Sequence, residues 1–515
     1  MENRIDKEYQ RTRRGGDIYT ESSAEYVIPD YKGDIRKLLL TDAQIRPSGR
    51  FASGGEVEFS GVVVYNIVYA DNDGEINSAS FTSDYDYKLK CNESDYINSF
   101  ADARVSSVSI RLVGPRKVCA KATVAASASV IERASVCASG TSFAGDEQPE
   151  LLTKYVSTRK SAVSESAERE YAEVVAALDG AIADEVNVIY SGADVNVDSI
   201  EFDDGIITLD GSVTLFALIK NGDAPIFIAD KTIDFEQDVP FADGSDDMSF
   251  LPTATVVSLR DTVNPTESGV EVVLSAIVEF SAIGESNSET ELVEDAYMRS
   301  CVCENEYDDF GYCEFVSLTS IDDKVEGTVE RESVDCEGLR EIVALCAQAK
   351  IDSVDCAGTD VTLHGEVRYS GIACGVNAEG KPTYSPVKFA SEFSKNVKLS
   401  CQISDKTRVE PKITLSHIRG GIDEASVWAS ADVKISLCVL EDKCARVLHS
   451  SNAREDMPFE ERGAKVSVYY PSSDETLFDV AKRFHTTVAK LAMDNSLSAS
   501  VSTGEEPLSQ KLMIF

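Results

Sequence analysis

At 515 residues, with 43% hydrophobic and 27% charged residues, the chain has the composition of a globular protein and not of a disordered one. Single hydrophobic cores seldom grow beyond about 250–300 residues, so we expect several domains. The 89 acidic residues outnumber the 49 basic ones and give a net charge of −40, which disfavours binding to nucleic acids and to anionic membrane surfaces.

The N-terminal segment, M-E-N-R-I-D-K-E-Y-Q, is polar and lacks the apolar stretch of a secretory signal. The most apolar run, 62–70, is far too short for a membrane-spanning helix, so we predict no transmembrane segment. Together these features predict a cytoplasmic protein. The basic cluster Arg11–Arg14 is too short for a nucleic-acid-binding tail and is interpreted as part of a solvated, flexible end.

The residue types that carry catalysis and metal binding are sparse. The thirteen cysteines include no C-x-x-C pair, and a single residue separates Cys301 from Cys303, a poor spacing for zinc. We therefore predict no metal and no cofactor. Neither G-x-S-x-G nor H-E-x-x-H occurs, so we expect no enzyme and interpret the four histidines as structural or surface residues. They are His364, His417, His449 and His485.

A weak internal repeat runs through most of the chain. Gly61, Gly211 and Gly365 lie about 150 residues apart, each inside a strand-like alternation of apolar residues. A triplet with a Ser or Thr between two apolar residues follows each glycine at a nearly constant distance, at 108–110, 257–259 and 413–415. A turn comes next, at Gly114-Pro115, Asn264-Pro265 and Gly420-Gly421. A long period-two strand then begins in each copy, which is typical of a sheet with one buried face.

The repeat predicts a mainly β fold with minor α: three tandem antiparallel β-sandwich-like repeats with short helices. We place the repeats at 18–138, 150–298 and 315–450, followed by a small βααβ module at 464–515. A short helix is predicted before each repeat glycine, at 34–40, 171–183 and 337–349. Polar linkers are expected near 139–149, 284–294 and 452–463.

The βααβ prediction for the C-terminal module depends on local patterns. A strand at 466–470 is followed by Ser472 and Glu475 in capping-box register. Apolar residues at Leu477, Val480, Ala481 and Phe484 then predict one face of a short helix. A second helix is predicted over 488–495, and the apolar residues at 508, 512 and 514 predict a final strand.

The motif D-E-T-L-F-D-V-A-K-R-F at 474–484 resembles the LysM pattern G-D-T-L-x-x-I-A-x-x-F/Y, with departures at Asp474 and Glu475. In LysM modules the loops flanking the helices bind the ligand, which here are 472–476 and 496–504. Phe478 stands where the family commonly has Trp, and it is either part of a partner surface or a packing residue. The resemblance implies the following candidate contact residues: Ser473, Asp474, Glu475, Thr476, Phe478, Asn495 and Leu497.

The segments A-E-Y-V-I-P-D-Y-K-G-D-I-R-K-L-L-L-T-D-A-Q-I and E-V-E-F-S-G-V-V-V-Y-N-I-V-Y, at 24–45 and 56–69, resemble the SPOCS spore-coat domain of Firmicutes. Tandem SPOCS domains ending in a LysM module resemble coat assembly proteins of the SipL and SpoVID type. That resemblance implies a sporulation adaptor in the mother-cell cytoplasm, which docks on the SpoIVA-like spore-coat ATPase and other coat proteins at the forespore surface. The alternative is a LysM protein that binds the N-acetylglucosamine units of peptidoglycan in the spore or cell envelope.

Overall fold

Long antiparallel strands form most of this protein. The computed structural model describes residues 3–142, 147–460, 466–497 and 511–515. Within those residues α-helices occur only in the C-terminal module, so the chain is mainly β with minor α, as the sequence predicts. In the part of the chain that the structure describes, no helix has the length and apolar character needed to cross a membrane.

The first module has a three-stranded meander that faces a second sheet. Its strands are β1 (Asn3–Val27), β2 (Ile35–Ser53), β3 (Glu56–Asp71), β4 (Ile76–Lys90), β5 (Tyr96–Gly114) and β6 (Lys117–Ser142). The meander has the order β2-β3-β4, whereas β6 pairs with β1 on one side and β5 on the other. Alternate residues of β3 and β6, such as Val63 and Val124, are buried between the two sheets and form one core.

The second and third modules repeat this arrangement. The second comprises β7 (Glu150–Val163), β8 (Ala167–Asp179), β9 (Val186–Asp203), β10 (Ile206–Asn221), β11 (Phe227–Pro240), β12 (Ser249–Pro265) and β13 (Gly269–Tyr297). The third comprises β14 (Cys301–Glu330), β15 (Leu339–Ala357), β16 (Asp360–Val376), β17 (Pro382–Lys398), β18 (Thr407–Ile422) and β19 (Ser426–Pro458). Each has a meander, β9-β10-β11 or β15-β16-β17, packed on a sheet centred on the long strand, β13 or β19.

The three repeat glycines occupy equivalent positions in the middle strands of the meanders. Each faces an aromatic residue on the following strand, in the pairs Gly61–Tyr85, Gly211–Phe235 and Gly365–Phe393. A Cβ atom on Gly211 would lie 2.0 Å from the carbonyl oxygen of Asn196 and 2.8 Å from the Phe235 ring. The sequence repeat is therefore a structural repeat, and glycine is required because a ring and a backbone carbonyl fill the space of a side chain.

The predicted helices are wrong: 34–40, 171–183 and 337–349 lie mostly in β2, β8 and β15. β-Bulges explain the error in the third case. The register of β15 against β16 shifts between Ile342 and Ala344, and the neighbours Val343 and Ala344 are both buried. Two adjacent buried residues after a bulge imitate the i, i+3, i+4 spacing of a helix.

Several further sequence interpretations are also wrong. The predicted linker 284–294 lies inside β13, and β19 runs through 452 to Pro458. The cluster Arg11–Arg14 belongs to β1 and is not a flexible end. Arg11 and Arg13 both contact the buried carboxylate of Glu132, at 3.0 and 3.2 Å. The expected third turn lies at 423–425, just after the predicted glycine pair.

The modules pack together through apolar clusters that draw residues from all three. One cluster contains residues that stand at the same sequence separation from the repeat glycine in each of the three meanders. The pairs that precede the glycines are Leu39 and Leu40, Ile189 and Tyr190, and Val343 and Ala344. The residues that follow the glycines are Val68, Leu218 and Ile372. A second cluster joins the long strands and includes Val136, Val156, Leu292, Phe310 and Val447. Equivalent contributions from three modules indicate an approximately threefold arrangement. β6 and β19 also pair in parallel, which joins the first and third modules in one sheet.

Candidate functional site

The C-terminal module has the predicted βααβ order. It contains β20 (Ser467–Tyr469), α1 (Leu477–Arg483), α2 (Val488–Asp494) and β21 (Leu512–Ile514), with β20 antiparallel to β21. Apolar side chains of both helices pack on the inner face of the two-stranded sheet. The helices contribute Leu477, Val480, Ala481 and Leu491, and β21 contributes Leu512 and Ile514. These are the positions that the i, i+3, i+4 pattern identifies as core.

The first helix is capped by a different pair from the one predicted. Thr476 accepts a hydrogen bond from the backbone N–H of Asp479 at 3.2 Å, and the Asp479 carboxylate accepts one from the N–H of Thr476 at 2.9 Å. This is a capping box one turn later than the Ser472–Glu475 box of the sequence prediction. Thr476 is therefore a structural residue of α1.

Glu475 is largely buried within the module. Its carboxylate accepts hydrogen bonds from the N–H of Ser472 and the hydroxyl of Tyr469, both at 2.8 Å, and pairs with Arg483 at 2.6 Å. The hydrogen bond from Ser472 lowers the pKa of Glu475, burial opposes it, and Tyr469 and Arg483 add to the lowering. Glu475 thus fixes the loop between β20 and α1.

Asn495 and Leu497 also hold the module together. The Asn495 side chain donates to the carbonyl oxygens of Leu491 (2.9 Å) and Met513 (2.8 Å) and accepts from the N–H of Met513 (2.6 Å). It therefore joins the end of α2 to β21. Leu497 packs against the apolar core of the module.

Two of the predicted contact residues remain on the surface. Ser473 and Asp474 are exposed in the turn between β20 and α1. Ser496 and Leu497 are the only members of the second predicted loop that the structure describes; 498–504 lie outside the described residues. The exposed candidate surface in the first loop therefore reduces to one short turn.

Phe478 packs against the body of the protein. It is 1% exposed, and its ring lies edge-on to Tyr297 of β13 with centroids 5.0 Å apart. The Tyr297 hydroxyl donates to the carbonyl oxygen of Thr486 at 2.7 Å, and Lys482 pairs with Asp295 at 2.6 Å. Of the two roles considered for Phe478, packing is the one that the structure shows.

The outer face of the two-stranded sheet is apolar and exposed. Val468 and Met513 are register partners on this face, whereas their neighbours Leu512 and Ile514 point into the core. Tyr470 is 73% exposed. Among the described residues of the module, the exposed apolar residues around this sheet are Val466, Val468, Tyr470, Met513 and Phe515. We name this set the outer sheet face. The alternation of Val466, Val468 and Tyr470 predicts the strand but does not show that these residues face solvent.

Histidines and cysteines are scattered over the body. His364, His417 and His449 each lie 2.9–3.3 Å from an aspartate, and all thirteen cysteines are free thiols. Within the described ranges no group of three or more His, Cys, Asp or Glu side chains is arranged to hold a metal ion.

A cavity of about 540 Å³ lies where the three meanders meet. Equivalent alanines from each module line it: Ala43, Ala193 and Ala347. The residues that follow these three alanines, which are Gln44, Asp194 and Gln348, also line the cavity. A sequence signal for this cavity exists, since the dipeptide Ala-Gln or Ala-Asp recurs at one fixed distance before each repeat glycine. Two of its copies lie in or beside segments predicted as helices, which concealed the repeat.

Comparisons with known proteins give no match for this chain: no family model, no curated protein and no solved structure is significantly similar to it.

Proposed function

We propose that this protein is a non-enzymatic spore-coat assembly adaptor that docks, through its C-terminal module, on a SpoIVA-like coat ATPase at the forespore surface in the mother-cell cytoplasm. The outer sheet face is the observation that carries the proposal. Five exposed apolar side chains on one small module suit contact with a protein better than contact with a polar sugar.

The attachment of the module to the body supports this role. Phe478 and Lys482 on α1 contact Tyr297 and Asp295 of the second module. Val468 and Met513 on the sheet remain exposed. A module held by one face and open on another can link the body to a partner. The three β modules, joined through shared apolar clusters, supply a scaffold with further surface for other coat proteins.

The test measures binding of the full chain to a purified SpoIVA-like ATPase and to chitin oligomers. Replacing Val468 by Glu on the outer sheet face should weaken ATPase binding at least tenfold and leave thermal unfolding unchanged, because exposed positions seldom alter stability by more than about 0.5 kcal/mol. Met493→Gln is the matched control, since Met493 is exposed on α2 and is not part of that face. Ser473→Ala and Asp474→Ala test the exposed turn in the same assay.

Core variants separate loss of fold from loss of contact. Leu477→Ala should unfold the module, because truncating a buried leucine costs roughly 2–5 kcal/mol and the module is small. Tight binding to chitin without binding to the ATPase would contradict the adaptor proposal and favour the peptidoglycan-binding alternative. If the wild type and Val468→Glu bind the ATPase equally well, the outer sheet face is not the docking surface.

A further inference from the structure

The cavity between the three modules contains hydrogen-bond acceptors to which none of the described residues donates. The side-chain nitrogen of Gln44 donates to Asp42 (2.9 Å) and to the Tyr190 hydroxyl (3.4 Å), and that of Gln348 donates to the carbonyl oxygen of Ala43 (3.5 Å). Each glutamine therefore uses its nitrogen in the cavity wall, and its side-chain oxygen has no donor among the described residues. The carboxylate of Asp194 likewise has no hydrogen bond or ion pair within the described part of the chain.

These three acceptors come from equivalent positions. Gln44, Asp194 and Gln348 each stand one residue after the alanine that the repeat places in the cavity wall. The small alanine side chains leave the central space open. The approximately threefold arrangement of the modules thus places one acceptor from each module around a common space.

The cavity favours a cation over an anion. Asp42 is 5% exposed, and burial raises its pKa although hydrogen bonds from Tyr190 and Gln44 oppose the rise. Burial also raises the pKa of Asp194 to about 6, against the attraction of His417 and with a contribution from nearby Asp42. Solvent reaches Asp194 only partly, since it lies in the cavity wall. Neither carboxyl forms an ion pair with a described residue, so ionising them in this wall is unfavourable.

The cationic groups nearby do not satisfy these carboxyls. His417 stands at a β-bulge in β18 and lines the cavity, but its Nδ1 lies 3.2 Å from Asp432. Arg419 of the third module and Asp230 of the second also line the cavity, and both side chains are exposed to solvent.

We propose that this cavity binds the ammonium group of a small aliphatic primary amine. An ammonium group carries three N–H donors, which matches one acceptor from each of the three modules. Phe216, Leu345 and Ile418 line the remaining wall and suit an aliphatic chain. The volume falls within the range of roughly 300–1,000 Å³ that is usual for small-molecule sites.

Titration calorimetry and ligand-observed NMR on the full chain test the proposal with n-butylamine, butan-1-ol and butyrate, which share one carbon chain and differ in charge. We expect butylamine alone to bind. Asp194→Asn, which is nearly isosteric, should weaken that binding at least tenfold, and Gln348→Met should weaken it severalfold. Butylamine binding should also fall as the pH drops through about 6, because protonation of Asp194 removes the anionic acceptor.

Asp84→Asn is the control for the attraction of any amine to a chain of charge −40, since Asp84 is exposed on β4 and the substitution changes the net charge equally. It should leave butylamine binding unchanged. Equal binding of butan-1-ol, an equal loss in Asp84→Asn, or no detectable binding of butylamine at any soluble concentration would each overturn the proposal. Circular dichroism of each variant shows whether it is folded.

Discussion

Tyr297 of the second module donates a hydrogen bond of 2.7 Å to the backbone carbonyl of Thr486 in the C-terminal module. The same ring packs edge-on against Phe478. One residue at the end of β13 thus supplies both an apolar and a polar contact between body and module. Together with the ion pair between Asp295 and Lys482, this residue holds the module against the second module.

Replacing Tyr297 by Ala should loosen the C-terminal module. The change removes a ring buried against Phe478, and truncation of a buried aromatic costs roughly 3–5 kcal/mol. We expect faster hydrogen exchange in α1 and faster proteolysis near 460. Tyr297→Phe removes only the hydrogen bond to Thr486 and should cost about 1 kcal/mol. Unchanged exchange in the alanine variant would show that other contacts hold the module.

Adding a side chain at a repeat glycine should destabilise its module. In Gly211→Ala the new Cβ would meet the Asn196 carbonyl and the Phe235 ring, and overpacking of this kind costs typically 1–3 kcal/mol. Gly311 is the matched control, since it also lies in a strand but has no atom within 4 Å of its Cβ position. Urea unfolding should shift for the first variant, whereas Gly311→Ala should be neutral or slightly stabilising.

A buried ion pair lies close to the contact between the first two modules. Arg159 donates to Glu285 through Nε (2.8 Å) and a terminal nitrogen (2.5 Å), and both residues are about 5% exposed or less. Arg159→Met should destabilise the second module by roughly 3–5 kcal/mol, because it leaves an unpaired buried carboxylate. The double variant Arg159→Met with Glu285→Gln should recover much of that loss in thermal unfolding. No recovery would mean that packing of Arg159 accounts for the effect.

Asp194→Asn should stabilise the protein at neutral pH in the absence of amine. The pKa of Asp194 rises from 3.8 to about 6 on folding, so the folded state favours the protonated carboxyl and loses that advantage as the pH rises between those values. The gain from the neutral asparagine should therefore grow by on the order of 1 kcal/mol between pH 5 and pH 7.5. Asp84→Asn should show no such trend. Unfolding midpoints across this pH range measure both variants.

The sequence predicted the strands far better than the segments between them. Alternation of apolar residues such as Val118 and Val124 identified β6 correctly, since every second residue of a half-buried strand must be apolar. The helix predicted at 337–349 failed because β-bulges bring Val343 and Ala344 to the same side of β15. Local periodicity does not reveal a bulge, because the extra residue is defined only by its partner strand.

The candidate sites were predictable only in part. The core of the C-terminal module followed from the spacing of Leu477 and Val480, which needs no tertiary information. The burial of Phe478 did not, because Tyr297 lies far away in the sequence. The cavity lined by Asp194 depends on how three modules meet, and only their packing brings equivalent residues together.

The parallel pairing of β6 with β19 has a consequence for how the protein reaches its native state. Ser139 pairs with Ser450, so the first module's sheet is completed by a strand that the ribosome makes hundreds of residues later. Contacts of such long sequence separation slow folding, because chain entropy is lost before the contacts form. Until β19 arrives, the end of β6 is an open edge that another chain can pair with. Chains that lack β19 should therefore aggregate more readily than the full-length protein.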